Sequence, residues 1–230
     1  MSRAASSTCA PGGLFDLSHF TLQLPTGSQG KVDSISSAKL SGCSGWQSKD
    51  CFYVEDGALV TKVPGSSDSS GCVTTENSKH CRTELRESSP DSWDPKASTN
   101  SLTVQLAVTK PDDSKYGTVI GQVKIDGDVS TKPLAELFYA QDGTVRIGVS
   151  QIPDVSSLKM TEVGHVSVGQ TFEYVLKYEG GKLSVKIAGG EEQIMSTGDI
   201  DSPKSYFKVG NYNQGDSPSE VRIYKIDVQH

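Results

Sequence analysis

Three short segments concentrate side chains that can do chemistry. CRTELRE (residues 81–87) places Arg82, Glu84 and Arg86 on alternate positions. GQVKID (121–126) does the same with Gln122, Lys124 and Asp126, and YFKVGNYNQ (206–214) with Tyr206, Lys208, Gly210 and Tyr212. In an extended chain, residues two apart share a face. Each segment then has one face of cations, amides or phenols. Gly210 marks a place where a ligand could approach the backbone. Arginine, lysine and glutamine donate to anions. A tyrosine titrates near 10 in water, and neighbouring cations such as Lys124, Lys208 or Arg86 are expected to lower that value, giving a phenol able to accept and return a proton. Taken singly, each face has a plainer reading: an ion-pair ladder, an ordinary exposed strand, a rim tyrosine. Their joint occurrence argues for a site.

These segments need strands to carry them, and the chain is rich in strand patterns. LSHFTLQLP reads as an early strand and CFYVEDGALVTKV as two around a DG turn. SLTVQLAV, TVIGQVKID, LAELFYA and TVRIGVS alternate or run apolar at strand length. TFEYVLKYEGGKLSVKIAG is a hairpin around Gly180-Gly181, and EVRIYKIDVQ ends the pattern. The only helical suggestion is a short turn near PLAELF. Many short strands without linker composition indicate one antiparallel β-sandwich or jelly roll over 1–230, with an irregular segment at 1–15.

Bulk composition agrees. The 230 residues include 23 Gly and 10 Pro but only 3 Met, which favours turns over long helices. A net charge of -6 and the lack of a basic tract exclude a general nucleic-acid binder, so a polyanion would need a local basic groove. No apolar run is long enough to span a membrane. MSRAASSTCAPGG has no apolar signal-peptide core; a secreted protein with this start is expected to be a mature form with an added methionine. The five cysteines show neither CxxC nor zinc spacing. Cys43 with Cys51, and Cys72 with Cys81, bracket short polar loops and read as two local disulfides, leaving Cys9 unpaired. That pairing implies an extracellular setting; five reduced, buried thiols are the alternative.

RTELR, GQVKI and YFKVGNYNQ, in this order across residues 82–214, resemble polysaccharide lyase family 7, the alginate lyases. The resemblance implies a jelly roll with a groove across its concave sheet, cleaving uronate polymers by β-elimination. It also implies catalytic roles for Arg82, Gln122, Lys124 and Tyr212, with Glu84, Arg86, Lys208 and Tyr206 binding substrate. Such a reaction removes H5 beside a carboxylate and expels O4. Arg82 and Gln122 would neutralise the carboxylate, and Tyr212 would serve as base and then acid. Glu84 would hold the two guanidinium groups in register.

Lys124 stands where the resembled motif has histidine. His19, His165 and His230 lie outside the motifs. His80 shares the parity of Arg82 and is a further groove candidate, although a strand-edge position is its simpler reading. In mannuronate and glucuronate H5 and O4 lie on one side of the ring, so one tyrosine can serve both. In guluronate they lie on opposite sides, and a second base is useful. Loss of the histidine therefore favours a syn substrate, with glucuronan slightly ahead of polymannuronate. The competing function is a secreted, non-catalytic carbohydrate-binding protein that keeps the groove. Asp126 and Asp128 read as a hairpin tip and not a metal site. The expected partner is an anionic polyuronate, on which the protein acts as a monomer with no cofactor or metal.

Overall fold

In the computed structural model, which describes residues 9–153 and 157–230, fifteen strands form two antiparallel sheets. In chain order the strands are β1 (Phe20–Ser28), β2 (Lys31–Ile35), β3 (Phe52–Glu55), β4 (Ala58–Val63), β5 (Arg82–Glu87), β6 (Ser101–Lys110), β7 (Thr118–Ile125) and β8 (Pro133–Tyr139). They continue with β9 (Thr144–Ser150), β10 (Leu158–His165), β11 (Phe172–Glu179), β12 (Lys182–Ile187), β13 (Gln193–Met195), β14 (Ser205–Tyr212) and β15 (Ser219–Gln229). One sheet runs β10-β9-β8-β7-β14-β5-β1-β2; the other runs β13-β12-β11-β6-β15-β4-β3. This is the two-sheet sandwich that the strand pattern implied. Residues 1–8 of the irregular N-terminal segment lie outside the described residues.

Alternation explains the layers. Leu22, Leu85, Val123, Phe207 and Val209 point inward from the eight-stranded sheet and meet Val104, Leu106, Leu176 and Ile223 of the other. The intervening residues of β5, β7 and β14 therefore face outward together. Both expected two-residue turns are present: Asp56 and Gly57 have φ of 51° and 79°, and Gly180 and Gly181 have 55° and 73°. Two positive φ values suit the twist of a tight hairpin.

LAELFYA forms the strand read for it, as most of β8, and the suggested helical turn near PLAELF is absent. Leu, Ala and Glu favour helix locally, but pairing with β7 on one side and β9 on the other satisfies the backbone in strand form. The cysteine pairing also differs. Cys72–Cys81 forms as expected, but Cys43 bonds to Cys9, and Cys51 is the free, buried thiol. The segment around Cys9 runs beside Cys43, with Ala10 N donating to Cys43 O at 2.9 Å. Cys51 instead enters the core at the start of a hairpin. Spacing along the chain measures loop length, not the direction in which a side chain leaves it.

Candidate active site

Strand register converts the three motifs into one surface. Thr21, Arg86, Lys208, Gln122 and Glu136 form one row across β1, β5, β14, β7 and β8. Gln23, Glu84 and Gly210 form the next row, and Arg82 lies beside Tyr212 beyond it. Bulges keep the polar side chains on this face. The β7–β8 register shifts between Val119 and Gly121, so Val119, Gln122 and Lys124 all face outward while Ile120 and Val123 stay in the core. The asparagines flanking Tyr212 tie the end of β14 to the opposite sheet. Asn211 Nδ2 donates to Thr61 O (3.1 Å), and Asn213 Nδ2 donates to Ser217 O (2.8 Å) and Ser219 Oγ (3.0 Å). Gly210 serves the sheet and not a ligand. At φ 144°, a Cβ there would come within 2.7 Å of Thr83 O on the adjacent strand.

The result is a groove of about 560 Å³ lined by Arg82, Arg86, Gln122, Lys124, Tyr206, Lys208, Tyr212 and His80. Glu84 lies beneath its floor, 1% exposed. It accepts hydrogen bonds from Lys208 Nζ (2.7 Å), Arg82 Nη1 (3.3 Å) and Gln122 Nε2. Glu84 thus orients Arg82, Lys208 and Gln122, but not Arg86. The Arg86 guanidinium bonds Asp91 (2.7 Å) and covers the Tyr206 ring at 4.3 Å. Lys208 also donates to Gln23 Oε1 (2.7 Å), so its ammonium is held largely by the protein. Asp126 leaves the groove: it accepts from Ser92 Oγ (2.6 Å) at the end of β7.

Around the phenol, Arg82 sits over the Tyr212 ring at 4.0 Å, His80 meets it edge-on at 5.9 Å, and Ser78 Oγ lies 2.8 Å from its hydroxyl. Burial alone would raise the Glu84 carboxyl, but Lys208 and Arg82 outweigh it and hold the group ionised, below its usual range. Burial pushes Lys208 down, against the pull of Glu84. On the far wall, burial lowers Lys124 to about 8 and raises half-buried Glu136 to about 7, each opposed by attraction to the other. His80 is shifted down, chiefly by burial and then by Arg82, which favours a neutral imidazole. Tyr212 departs from expectation. Burial raises it, and the nearby Arg82 charge and the Ser78 hydrogen bond only partly offset that. The cations are present, but the phenol is buried under them, and desolvation of a phenolate wins.

Gln23, Glu136 and Ser78 are among the groove residues that escaped sequence reasoning. Gln23 continues the alternation of FTLQL, which was a usable signal. Glu136 sits in the strand LAELFYA, where no motif singles it out. Ser78 sits in a polar loop with no periodicity, and only its closeness to Arg82 along the chain could have hinted at it.

The alginate lyase family model matches residues 15–230. The chain belongs to the alginate lyase family. Among curated proteins it is similar to an alginate lyase from Klebsiella pneumoniae, 25% identical, covering 96% of this chain and 91% of the relative. Among solved structures it resembles alginate lyase A1-II′ of polysaccharide lyase family 7, with a TM-score of 0.80, 28% identity, and 96% and 98% of the two chains covered. Alginate lyase PA1167 from Pseudomonas aeruginosa is similar as well: TM-score 0.79, 27% identity, 94% and 99% covered. Substituted forms of A1-II′ have been solved with product (GGG) and with substrate (GGMG). Within this family fold, the groove of the present chain combines a phenol, two arginines, an amide and a lysine–glutamate wall.

Proposed function

We propose that this protein is a polysaccharide lyase that cleaves β-1,4-linked polyuronate by syn β-elimination, leaving a 4,5-unsaturated uronate end. The observation that carries the reading is the convergence of Tyr212, Arg82 and Gln122 from three adjacent strands in one groove. A uronate carboxylate placed against Arg82 and Gln122 would have its charge neutralised, making H5 more acidic; such donors are worth about 10²–10³ in rate each. The Tyr212 phenolate takes H5, the C5–H electron pair forms C4=C5, and O4 departs with its bonding pair and takes the proton from Tyr212. One group on one ring face completes the reaction.

The substrate ranking rests on Lys124. A lysine near the carboxylate site supplies charge, whereas a guluronate-type anti elimination calls for a second base across the ring. We rank glucuronan slightly ahead of polymannuronate. The two disulfides support secretion, and the groove is complete within one chain, consistent with action as a monomer. A second reading, a non-catalytic binder of the same polymers, is favoured by the upward shift of the Tyr212 phenol.

Ultraviolet absorbance of the new C4=C5 bond tests both. It should grow on glucuronan or polymannuronate and fall at least about 10²-fold in Tyr212→Phe. Faster turnover on polyguluronate would overturn the syn assignment, and binding to all three polymers without absorbance would leave the binder reading standing.

A further inference from the structure

The segment between Cys72 and Cys81 is closed by a disulfide of sequence separation 9 and runs directly into β5. It forms one wall of the groove, and Ser78 is its point of contact with the phenol: Ser78 Oγ lies 2.8 Å from Tyr212 Oη. The same oxygen accepts from His80 N at 3.0 Å, and its hydrogen has a second, longer acceptor in His80 O at 3.3 Å. The serine is therefore fixed by its own loop before substrate arrives, with a hydrogen that can turn between two acceptors.

We propose that Ser78 is a positioning residue for the elimination, donating its hydroxyl hydrogen to the Tyr212 phenolate. The proposal rests on the role given to Tyr212 above. With Tyr212 neutral, its O–H donates to Ser78 Oγ and the serine hydrogen points to His80 O. When Tyr212 gives its proton to water, the serine hydrogen turns to the phenolate oxygen, the nearer acceptor. Capture of H5 restores the first arrangement, and transfer of that proton to O4 restores the second. No net proton or electron is consumed by the serine.

The surroundings make such a donor useful. Facing Tyr212 are Arg82 and Glu84 from β5, Glu136 from β8 and His80 from the loop, while β7 and β8 contribute apolar Val119 and Phe138. Burial disfavours the phenolate, two carboxylates repel it, and His80 is a neutral neighbour. Arg82 stacks on the ring face at 4.0 Å. Among the described residues, Ser78 is the one hydrogen-bonded to the oxygen itself.

The test compares wild type, Ser78→Ala and Ser78→Thr by ultraviolet titration of the phenolate, with Tyr212→Phe subtracted to isolate this tyrosine. The Tyr212 midpoint should rise by about one pH unit in Ser78→Ala and return in Ser78→Thr. The acidic limb of kcat on polymannuronate or glucuronan should move with it, so the loss in rate is about tenfold below the limb and vanishes above it. Thermal unfolding of each variant checks that the fold is intact. An unmoved midpoint in folded Ser78→Ala, or a rate loss equal at every pH, would overturn the proposal. A midpoint that responds as expected in a protein with no lyase activity would instead sink the elimination reading and leave the hydrogen bond to Tyr212 standing.

Discussion

Glu84 illustrates how a residue in this groove acts through its partners. It carries a negative charge under a floor meant for an anionic polymer, yet three donors converge on it and none of that charge faces the groove. A buried charge is tolerated when it is paired and fully hydrogen-bonded. Lys124 is the opposite case. It lies half-buried on the wall, donates to Thr131 O at 2.8 Å, and burial brings it down to about 8. Its folded-state pKa is depressed, so the ammonium is held below about 8 and lost as the pH rises through that value. The groove thus becomes less positive well below the range in which Tyr212, raised by burial, ionises. On a polyuronate, KM should rise roughly fivefold as the pH passes through this range, while kcat also rises. Lys124→Arg, which keeps its charge, should hold KM level over the same range. Steady-state kinetics against pH checks this, and a flat wild-type KM would remove Lys124 from substrate binding.

At the scale of the element, bulges and glycines aim the side chains. Tyr174 of β11 crosses the interior and donates its hydroxyl to Ile120 O at 2.9 Å, at the bulge that lets Val119 and Gln122 both face the groove. Gly121 makes room for it: a Cβ there would lie 2.4 Å from Tyr174 Oη. Gly121→Ala should therefore destabilise the protein by about 1–3 kcal/mol, as overpacking does. Because Gln122 is the next residue, the displaced bulge should also lower kcat. Adding Tyr174→Phe removes the nearest atom and should recover part of the loss, measured by denaturant unfolding. Additive costs in the double variant would show that the clash is not what Gly121 avoids.

Over the whole molecule, the sandwich supplies a rigid floor and the disulfide-closed loop supplies a wall. The loop between Cys72 and Cys81 is short, and the chain-entropy estimate assigns its closure about 2–3 kcal/mol. Cys72→Ser with Cys81→Ser should lower stability by that amount, and the thermal midpoint by roughly 5–10 °C for a chain of this size. Since the loop also holds Ser78 and His80 against Tyr212, turnover should fall even at temperatures where the variant is fully folded. Calorimetry beside an activity assay separates the two. Full activity in the folded double variant would show that β5 and β14 position Tyr212 without the loop.

The alternation of polar and apolar residues along β5, β7 and β14 determined which side chains face outward, because strand geometry has a period of two and the core selects one face. That made the sandwich and the outward faces carrying Arg82, Gln122, Lys124, Lys208 and Tyr212 legible from the chain alone, while the resemblance of the three motifs to polysaccharide lyase family 7 joined them into one site. Tertiary structure decided the rest. The place of Glu136 on the groove wall depended on β7 and β9 flanking the LAELFYA strand. Which cysteine met Cys43 depended on where residues 9–12 were laid down. The direction of the Tyr212 shift depended on how deeply the phenol is buried beneath its cations. Each is a contest between a local preference and a long-range contact, and spacing along the chain reports only the local side.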